Sequence, residues 1–165
     1  MMLRSIIAAL AMLSLGLLLS GCASSRKPTF DLGGMNRVTI PFEVSGAFLS
    51  FTGHPTVKGT INGVNGRFII DTGAPGPLLT MTAVRRCGII ACPSRSRGAD
   101  MFGVQFPLKV ATNITIRFTP QFSVHYAEVL VSPEEGDHFG LLDYGTLRSA
   151  HAVMDMEQRT ITLTK

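Results

Sequence analysis

Charged residues are scarce in this chain of 165 residues: Asp, Glu, Lys and Arg make up only 16% of it, and the formal net charge at pH 7 is +4. Nucleic-acid binding usually shows as a basic surface with interleaved aromatic residues. The main basic cluster, Arg85, Arg86, Arg95 and Arg97, has no aromatic residue within it. The composition therefore argues against a nucleic-acid partner and leaves lipid headgroups or an acidic substrate as contacts for these arginines.

Residues that hold metals or act as nucleophiles are also few. Neither the histidines nor the cysteines have the short spacing of metal ligands, and no pairing of a Ser or Cys nucleophile with a His base stands out. The sequence therefore predicts neither a metal nor an organic cofactor. The histidines are interpreted as surface residues or as side chains satisfied by their neighbours: His54, His125, His138 and His151.

The chain has no internal repeat and no second copy of the Asp-Thr-Gly found at residues 71–73. A length of 165 residues with 45% hydrophobic residues suits one globular domain plus a processing segment. The apolar run that is present lies at the N-terminus, from Ile6 to Leu19. At about 14 residues, it is shorter than the roughly 20 that a helix needs to span a bilayer.

Arg4 precedes this run and small residues follow it, which is the order of a secretory signal peptide. Residues 1–21 are therefore predicted to be removed, which lowers the formal charge to +3 because Arg4 is lost. The residues at the cleavage site, Leu19-Ser20-Gly21-Cys22, resemble the lipobox of bacterial lipoproteins. The resemblance implies that Cys22 is acylated and becomes the N-terminus.

Such an anchor is effectively permanent, because each buried methylene of the acyl chains contributes about 0.8 kcal/mol. Ala23, rather than an aspartate, follows the cysteine, and by resemblance this implies delivery to the periplasmic face of the outer membrane. The alternative is a soluble secreted protein in which Cys22 merely lies near a signal-peptidase site.

Residues 22–36 contain serines, a proline and the pair Gly33-Gly34 with little apolar periodicity, so they are expected to form a tether. The folded domain is predicted to span residues 37–165. Cys87 and Cys92 of this domain would lie in a compartment that permits disulfides. A local bridge between them and a pair of free thiols both remain open.

Alternation of apolar and polar residues predicts a series of short strands from residue 38 onward. Asn62-Gly63 joins two of these strands and predicts a hairpin. One short helix is predicted over residues 81–88, with Thr80 or Thr82 as N-cap and Gly88 as the stop. Short strands at this spacing with a single helix indicate a small, partly closed β-barrel.

The second half of the domain continues the pattern. Residues 94–100 are expected to be polar and flexible, and they precede a strand that starts at Val104. Separate strands are predicted over residues 113–118 and 122–131. The last predicted element is a hairpin over residues 153–163.

Arg67-Phe68-Ile69-Ile70 has the character of a strand and leads directly into Asp71 and the turn Thr72-Gly73-Ala74. A carboxylate at the end of an apolar strand needs a turn to cap, a partner or a chemical task, because burying it unpaired is unfavourable. The structural interpretation is an Asx turn, in which Asp71 accepts hydrogen bonds from the amides of Gly73 and Ala74. The chemical interpretation is a catalytic acid.

Two groups of residues resemble the single-lobed, retropepsin-like aspartic proteases of clan AA. The first is Ile61-Asn62-Gly63 followed by residues 68–74, and the second is Leu141-Leu142 before Leu147, followed by residues 153–155 and 160–163. The resemblance implies a mainly β fold, a closed or partly closed barrel of the retropepsin type with one short helix, forming a C2 homodimer. It also implies a mobile flap at residues 94–104 and makes Asp155 a structural turn acid.

The resemblance makes Asp71 the catalytic residue and Thr72, Gly73 and Ala74 its active-site support. Two carboxylates a few ångströms apart cannot both ionise easily, so the pair holds one proton. The charged member can then take a proton from a water while the neutral member donates to the peptide carbonyl. Because each chain carries one such motif, the chemistry requires Asp71 of a second copy.

Two residues depart from the family pattern. Pro75 stands where most relatives have Ser or Asp, and Asp143 stands where the family usually has a glycine that packs behind the active-site loops. Asp143 is expected either to lie in a locally shifted loop, with Gly140 or Gly145 in the place of that glycine, or to lie close to Asp71 and alter its titration.

The predicted function is that of a membrane-anchored aspartic endopeptidase, which hydrolyses peptide bonds of envelope proteins or peptides. The alternative is a noncatalytic envelope lipoprotein that uses the same barrel to bind peptides or partner proteins.

Overall fold

A computed structural model of the chain describes residues 27–45, 53–99 and 103–165. Over these residues the fold is mainly β, with twelve strands and two short helices. No helix within these ranges is long and apolar enough to cross a membrane. The predicted signal peptide, residues 1–21, and the predicted lipidation site Cys22 lie outside the described residues.

The elements follow one another in this order: β1 Thr29–Asp31, β2 Arg37–Pro41, β3 Glu43–Ser45, β4 His54–Ile61, β5 Val64–Asp71, β6 Leu78–Leu79, α1 Met81–Arg86, β7 Ala91–Ala99, β8 Gln105–Thr119, β9 Phe122–Val131, β10 Gly140–Asp143, α2 Tyr144–Ser149, β11 Val153–Asp155 and β12 Thr160–Thr164.

Nine strands form one sheet in the order β1-β9-β6-β10-β5-β4-β8-β7, in which β8 also pairs with β9 and β3 pairs with β4. Strand β10 lies between β5, to which it is parallel, and β6, to which it is antiparallel. Strands β5 and β10 therefore end side by side. A smaller sheet contains β11, β12 and β2 and includes the hairpin predicted at residues 153–163.

A row of fully buried residues crosses the large sheet and forms the centre of the core. Phe68 of β5, Leu79 of β6 and Val131 of β9 occupy the same level of the ladder, where Phe68 and Leu79 both pair with Gly140 of β10. An added Cβ at Gly140 would lie 2.1 Å from the carbonyl oxygen of Leu78. Only glycine lets β10 approach β6 this closely.

The hairpin of β4 and β5 confirms the prediction made from Asn62-Gly63. Asn62 and Gly63 have φ angles of 52° and 78°, and two consecutive positive φ values are those of a type I′ turn. This turn fixes the register in which β5 leads to Asp71.

Strands β7 and β8 form a second hairpin at the predicted flap. Residues 94–99 were expected to be flexible, but they belong to β7 and pair with β8 across a register shift between Pro93 and Arg97. The separate strands expected before and after residue 112 are one strand, β8. Asn113, with φ 55°, turns the backbone without ending the ladder, since asparagine tolerates this conformation.

Helix α1 confirms the helix that the sequence predicted. The Thr80 hydroxyl accepts a hydrogen bond from the amide of Ala83 and caps the helix, and Gly88 follows it with φ 64°. The prediction of a single helix is wrong, because Tyr144–Ser149 forms α2 with Asp143 as its N-cap. Six residues that begin with an aromatic residue and a glycine gave no helical pattern.

The predicted tether, residues 22–36, overlaps the fold. Strand β1 pairs antiparallel with β9, Phe30 packs against Phe122 with ring centroids 6.4 Å apart, and Leu32 is buried. The folded domain therefore includes residues before 37. Three strand residues are too few to show periodicity, so the sequence pattern did not reveal β1.

Candidate active site

Asp71 is the last residue of β5 and is only partly buried. Its Oδ1 accepts a hydrogen bond from the amide of Gly73 at 2.8 Å, and its main-chain oxygen accepts one from the amide of Ala74 at 3.3 Å. The Asx turn expected from the sequence is therefore present, with Ala74 bound to the carbonyl rather than to the carboxylate. The turn uses one of the two carboxylate oxygens, so it is compatible with a chemical task for the other.

The residues that follow Asp71 form the surface of this turn. Thr72 and Gly73 are exposed, and Ala74 is partly buried. A Cβ at Gly73 would lie 3.3 Å from Oδ1 of Asp71, so glycine gives the carboxylate room to reach the amide. Pro75, which is exposed, has no amide hydrogen to continue the pattern.

Asp71 shares a face of the sheet with apolar side chains. Ile69 precedes it by two residues on β5 and pairs with Leu141 of β10, which in turn pairs with Leu78 of β6. Paired residues point to the same face of a sheet, as do residues two apart on one strand. These three side chains are partly buried, so the carboxylate lies at the end of an accessible apolar row.

Asp143 occupies the position beside Asp71. Leu142 and Asp143 stay in register with Ile70 and Asp71, so the expectation of a locally shifted loop is wrong. A close backbone approach that glycine permits is found three residues earlier, at Gly140, which is one of the two glycines expected to take that place.

The Asp143 side chain is held by the helix that it caps. Its carboxylate accepts hydrogen bonds from the amides of Gly145, at 2.9 Å, and Thr146, at 3.3 Å, and from the Thr146 hydroxyl. That hydroxyl also lies 3.0 Å from the phenol oxygen of Tyr126. Burial, opposed by the bond to Thr146 and helped by the charge of Asp143, raises the pKa of Tyr126 above its ordinary value.

Tyr126 and Thr146 were not predicted as site residues. Asp143 is a residue type that favours an N-cap, but Thr146 stands where a capping box would have Glu or Gln, so the signal for the pair in the sequence was weak. Tyr126 comes from a different strand and precedes Thr146 by 20 residues, so no local signal joined it to the other two.

Both cysteines of the domain have free thiols in the structure. Cys87 is the C-cap of α1 and is buried, while Cys92 on β7 is exposed. Burial raises the pKa of the Cys87 thiol, an effect that the charge of Arg86 partly offsets. The main-chain oxygen of Cys87 accepts a hydrogen bond from the Asn62 amide group at 2.9 Å.

Comparison with known proteins places this turn within a family. The model of the aspartyl protease family matches residues 57–144, which include both Asp71 and Asp143. No curated protein sequence matches the chain significantly.

Solved structures share the fold at low sequence identity. A retropepsin-like aspartic protease from Rickettsia conorii is 15% identical, with 82% of this chain and 90% of that chain covered and a TM-score of 0.51. The retroviral protease-like domain of Ddi1 from Leishmania major is 18% identical, with 68% and 89% covered and a TM-score of 0.50. EIAV protease, solved with the inhibitor HBY-793, is 17% identical, with 68% and 100% covered and a TM-score of 0.50.

These structures are similar in fold alone at such identities, but the family model spans more than half of the chain. The chain therefore belongs to the aspartyl protease family and contains a retropepsin-like domain.

Proposed function

We propose that the protein is an aspartic endopeptidase in which Asp71 is the catalytic carboxylate. The observation that carries the proposal is the position of Asp71, at the end of a core strand, on an exposed glycine turn and at the head of an apolar row. Membership of the aspartyl protease family gives this position its chemical interpretation.

The chemistry requires two carboxylates, and one chain supplies one such turn. We propose a C2 homodimer in which the two Asp71 side chains meet on the symmetry axis and share a proton. The ionised member takes a proton from the attacking water, and the protonated member donates to the oxygen of the scissile carbonyl. Exposed Thr72 and Gly73 allow the two turns to approach each other.

The surroundings of Asp71 favour a substrate of a particular kind. An extended peptide laid over the apolar row would place side chains against Ile69, Leu78 and Leu141, which are only partly buried in the single chain. Burial of apolar area is the main source of affinity at such a surface. The proposed substrates are therefore peptide segments with apolar residues on both sides of the cleaved bond.

We further propose that Cys22 is lipidated and anchors the enzyme at the periplasmic face of the outer membrane, where it cleaves envelope proteins or peptides. The support is the lipobox-like sequence at residues 19–22. Anchoring two copies in one membrane raises their local concentration and favours the dimer.

The test is cleavage of a mixed peptide library by the detergent-solubilised full chain between about pH 4 and 7, the range in which a shared proton is expected. Asp71→Asn keeps an oxygen for the Gly73 amide but cannot serve as the acid and base. Its matched control is Asp31→Asn, because Asp31 accepts an identical 2.8 Å bond from the amide of Gly33 two residues on.

The proposal predicts that Asp71→Asn abolishes cleavage and that Asp31→Asn leaves it unchanged. A folded dimer that binds library peptides but cleaves none of them would favour the noncatalytic lipoprotein instead. Equal cleavage by wild type and Asp71→Asn would exclude Asp71 as the catalytic residue.

A further inference from the structure

Asp143 is a buried carboxylate beside the catalytic strand. Its exposed fraction is 4%, and burial of a carboxylate is strongly unfavourable unless hydrogen bonds replace its water. Three donors meet this requirement, namely the amides of Gly145 and Thr146 and the Thr146 hydroxyl. All three come from α2, so the carboxylate joins the end of β10 to the start of that helix.

The same hydroxyl extends the connection to a third element. The single hydroxyl proton of Thr146 is donated to Asp143, so its oxygen must accept the proton of Tyr126, 3.0 Å away. Tyr126 belongs to β9 and is buried. A directed chain of hydrogen bonds therefore runs from Tyr126 through Thr146 to Asp143.

The chain of hydrogen bonds ends beside the catalytic residue. Asp143 and Asp71 are the last paired residues of the parallel ladder between β10 and β5. Beyond them β5 turns sharply, and the turn itself is held by hydrogen bonds to the amides of Gly73 and Ala74. Hydrogen bonds that hold Asp143 in place therefore also hold the end of β5, where the Asp71 turn begins.

We propose that Asp143, Thr146 and Tyr126 form a positioning network that holds the Asp71 turn in its reactive geometry. The inference rests on the proposed function, because it assigns these residues a role in the same reaction. Asp143 is a positioning residue and touches no substrate. The hydrogen bonds of its carboxylate hold the end of β10 in place, a task that would otherwise fall to close packing alone.

Gly145 is the glycine that the network needs. A Cβ at this residue would lie 2.8 Å from Oδ2 of Asp143, which is closer than real Cβ contacts. Gly145→Ala therefore displaces the carboxylate without removing any of its hydrogen-bonding groups.

The first experiment measures kcat and KM of the full chain with a peptide that it cleaves. Misplacement of a reacting group lowers kcat, so Tyr126→Phe is expected to lose about tenfold and Asp143→Ala about a hundredfold. KM is expected to stay within about twofold, because the apolar row that binds the peptide is unchanged. Asp143→Asn keeps an oxygen for the cap and should fall between wild type and Asp143→Ala.

The matched control is Thr80→Ala. Thr80 is also buried, and it caps the other short helix by accepting a hydrogen bond from the Ala83 amide. Its hydroxyl also donates to the main-chain oxygen of His138, so the control loses a tertiary hydrogen bond as well as a cap. This variant loses a cap of the same kind, so it should unfold more easily while its kcat stays at the wild-type value.

The second experiment needs no activity. Amide hydrogen exchange of the full chain, followed in peptic fragments that contain residues 72–74, reports on the turn directly. Asp143→Ala and Tyr126→Phe should speed exchange there at least about fivefold more than Thr80→Ala does, since they loosen the turn and not the whole domain.

The proposal fails if exchange at residues 72–74 and kcat in these variants match those of Thr80→Ala, because the network would then be structural only. If Asp143→Ala does not fold, Tyr126→Phe and Gly145→Ala decide by the same two measurements. If no peptide is cleaved by wild type, the proposed function fails, and the exchange experiment alone supports or overturns the network.

Discussion

Two aspartates end neighbouring strands, and their different surroundings support the different tasks proposed for them. Asp71 is partly exposed and commits one oxygen to a turn, whereas Asp143 is buried and accepts three hydrogen bonds from α2. A carboxylate that is to share a proton with a partner must keep an oxygen accessible. One that is to hold a backbone in place must have its hydrogen bonds satisfied.

Gly140 allows a stability prediction at the same strand. An added Cβ would collide with the Leu78 carbonyl at 2.1 Å, and backbone cannot move aside as a flexible side chain can. Gly140→Ala is therefore expected to lower the free energy of unfolding by about 3 kcal/mol or more. Urea denaturation measures this change.

The control for this substitution is Gly76→Ala. Gly76 has no heavy atom within 4 Å of an added Cβ and no positive φ, so its unfolding free energy should change by less than about 0.5 kcal/mol. Equal effects of the two substitutions would contradict the close packing of β10 on β6.

The two thiols of the domain should react differently. The thiolate is the reactive form, and burial both shields Cys87 and raises its pKa, while Cys92 is exposed. Iodoacetamide is expected to label Cys92 in the native protein and Cys87 only after denaturation. Peptide mapping by mass spectrometry, with Cys92→Ser as control, measures both sites.

The same experiment decides whether the thiols are bridged. If neither cysteine is labelled in denaturant until a reductant is added, they form a disulfide in the isolated protein. Labelling of Cys92 without a reductant would agree with the free thiols of the structure.

At the scale of elements, the short strand β1 contributes an aromatic side chain to the packing of the domain. Phe30 stacks on Phe122, which itself stacks on Phe118 with centroids 5.4 Å apart. Phe30→Ala removes one end of this aromatic stack and should lower the unfolding free energy by about 1 to 3 kcal/mol. Chemical denaturation measures it.

Thr29→Ala, an exposed substitution in the same strand, is the control and should change the free energy by less than about 0.5 kcal/mol. If Phe30→Ala were as mild as Thr29→Ala, residues before 37 would contribute as little as a tether.

Elements with a local chemical cause could be predicted from the sequence. The β4–β5 hairpin follows from Asn62-Gly63, and α1 follows from Thr80 and Gly88, because each of these residues supplies a turn or a cap by itself. Strand β1 and α2 depend on what packs against them. Three strand residues and one six-residue helix carry too little periodicity to predict either.

The candidate site divides in the same way. Asp71 and its turn are contiguous in sequence, so their chemistry was visible there. The apolar row of Ile69, Leu78 and Leu141 and the link from Asp143 to Tyr126 depend on which strands pair. Strand pairing of this kind is non-local. Asp143 also stands where the family usually has a glycine, so the sequence lacked the residue that marks the strand beside the active-site turn.

At the scale of the whole molecule, the proposed reaction needs two chains although the fold is complete in one. Each domain has its own core, so the dimer has to be formed by surfaces that are exposed in the single chain. In the proposed dimer, the symmetric pair of Asp71 side chains exists only when two chains are assembled. Activity should depend on protein concentration more steeply than in direct proportion wherever the dimer dissociates.

Mixing wild type with Asp71→Asn tests whether the reaction needs Asp71 from both chains. The total protein concentration is held constant and high enough to keep the chains dimeric. If exchange is random, an equal mixture leaves about half of the wild-type chains paired with each other, and a threefold excess of Asp71→Asn leaves about a quarter. A pair with one carboxylate cannot share the proton, so cleavage per wild-type chain should fall to about a half in the equal mixture and to about a quarter in the threefold excess. Asp31→Asn is expected to be active itself, so mixing it in the same ratios should leave cleavage per total chain unchanged. If added Asp71→Asn did not change cleavage per wild-type chain, one chain would carry out the whole reaction. The proposed C2 dyad would then be wrong, even if Asp71 were still essential.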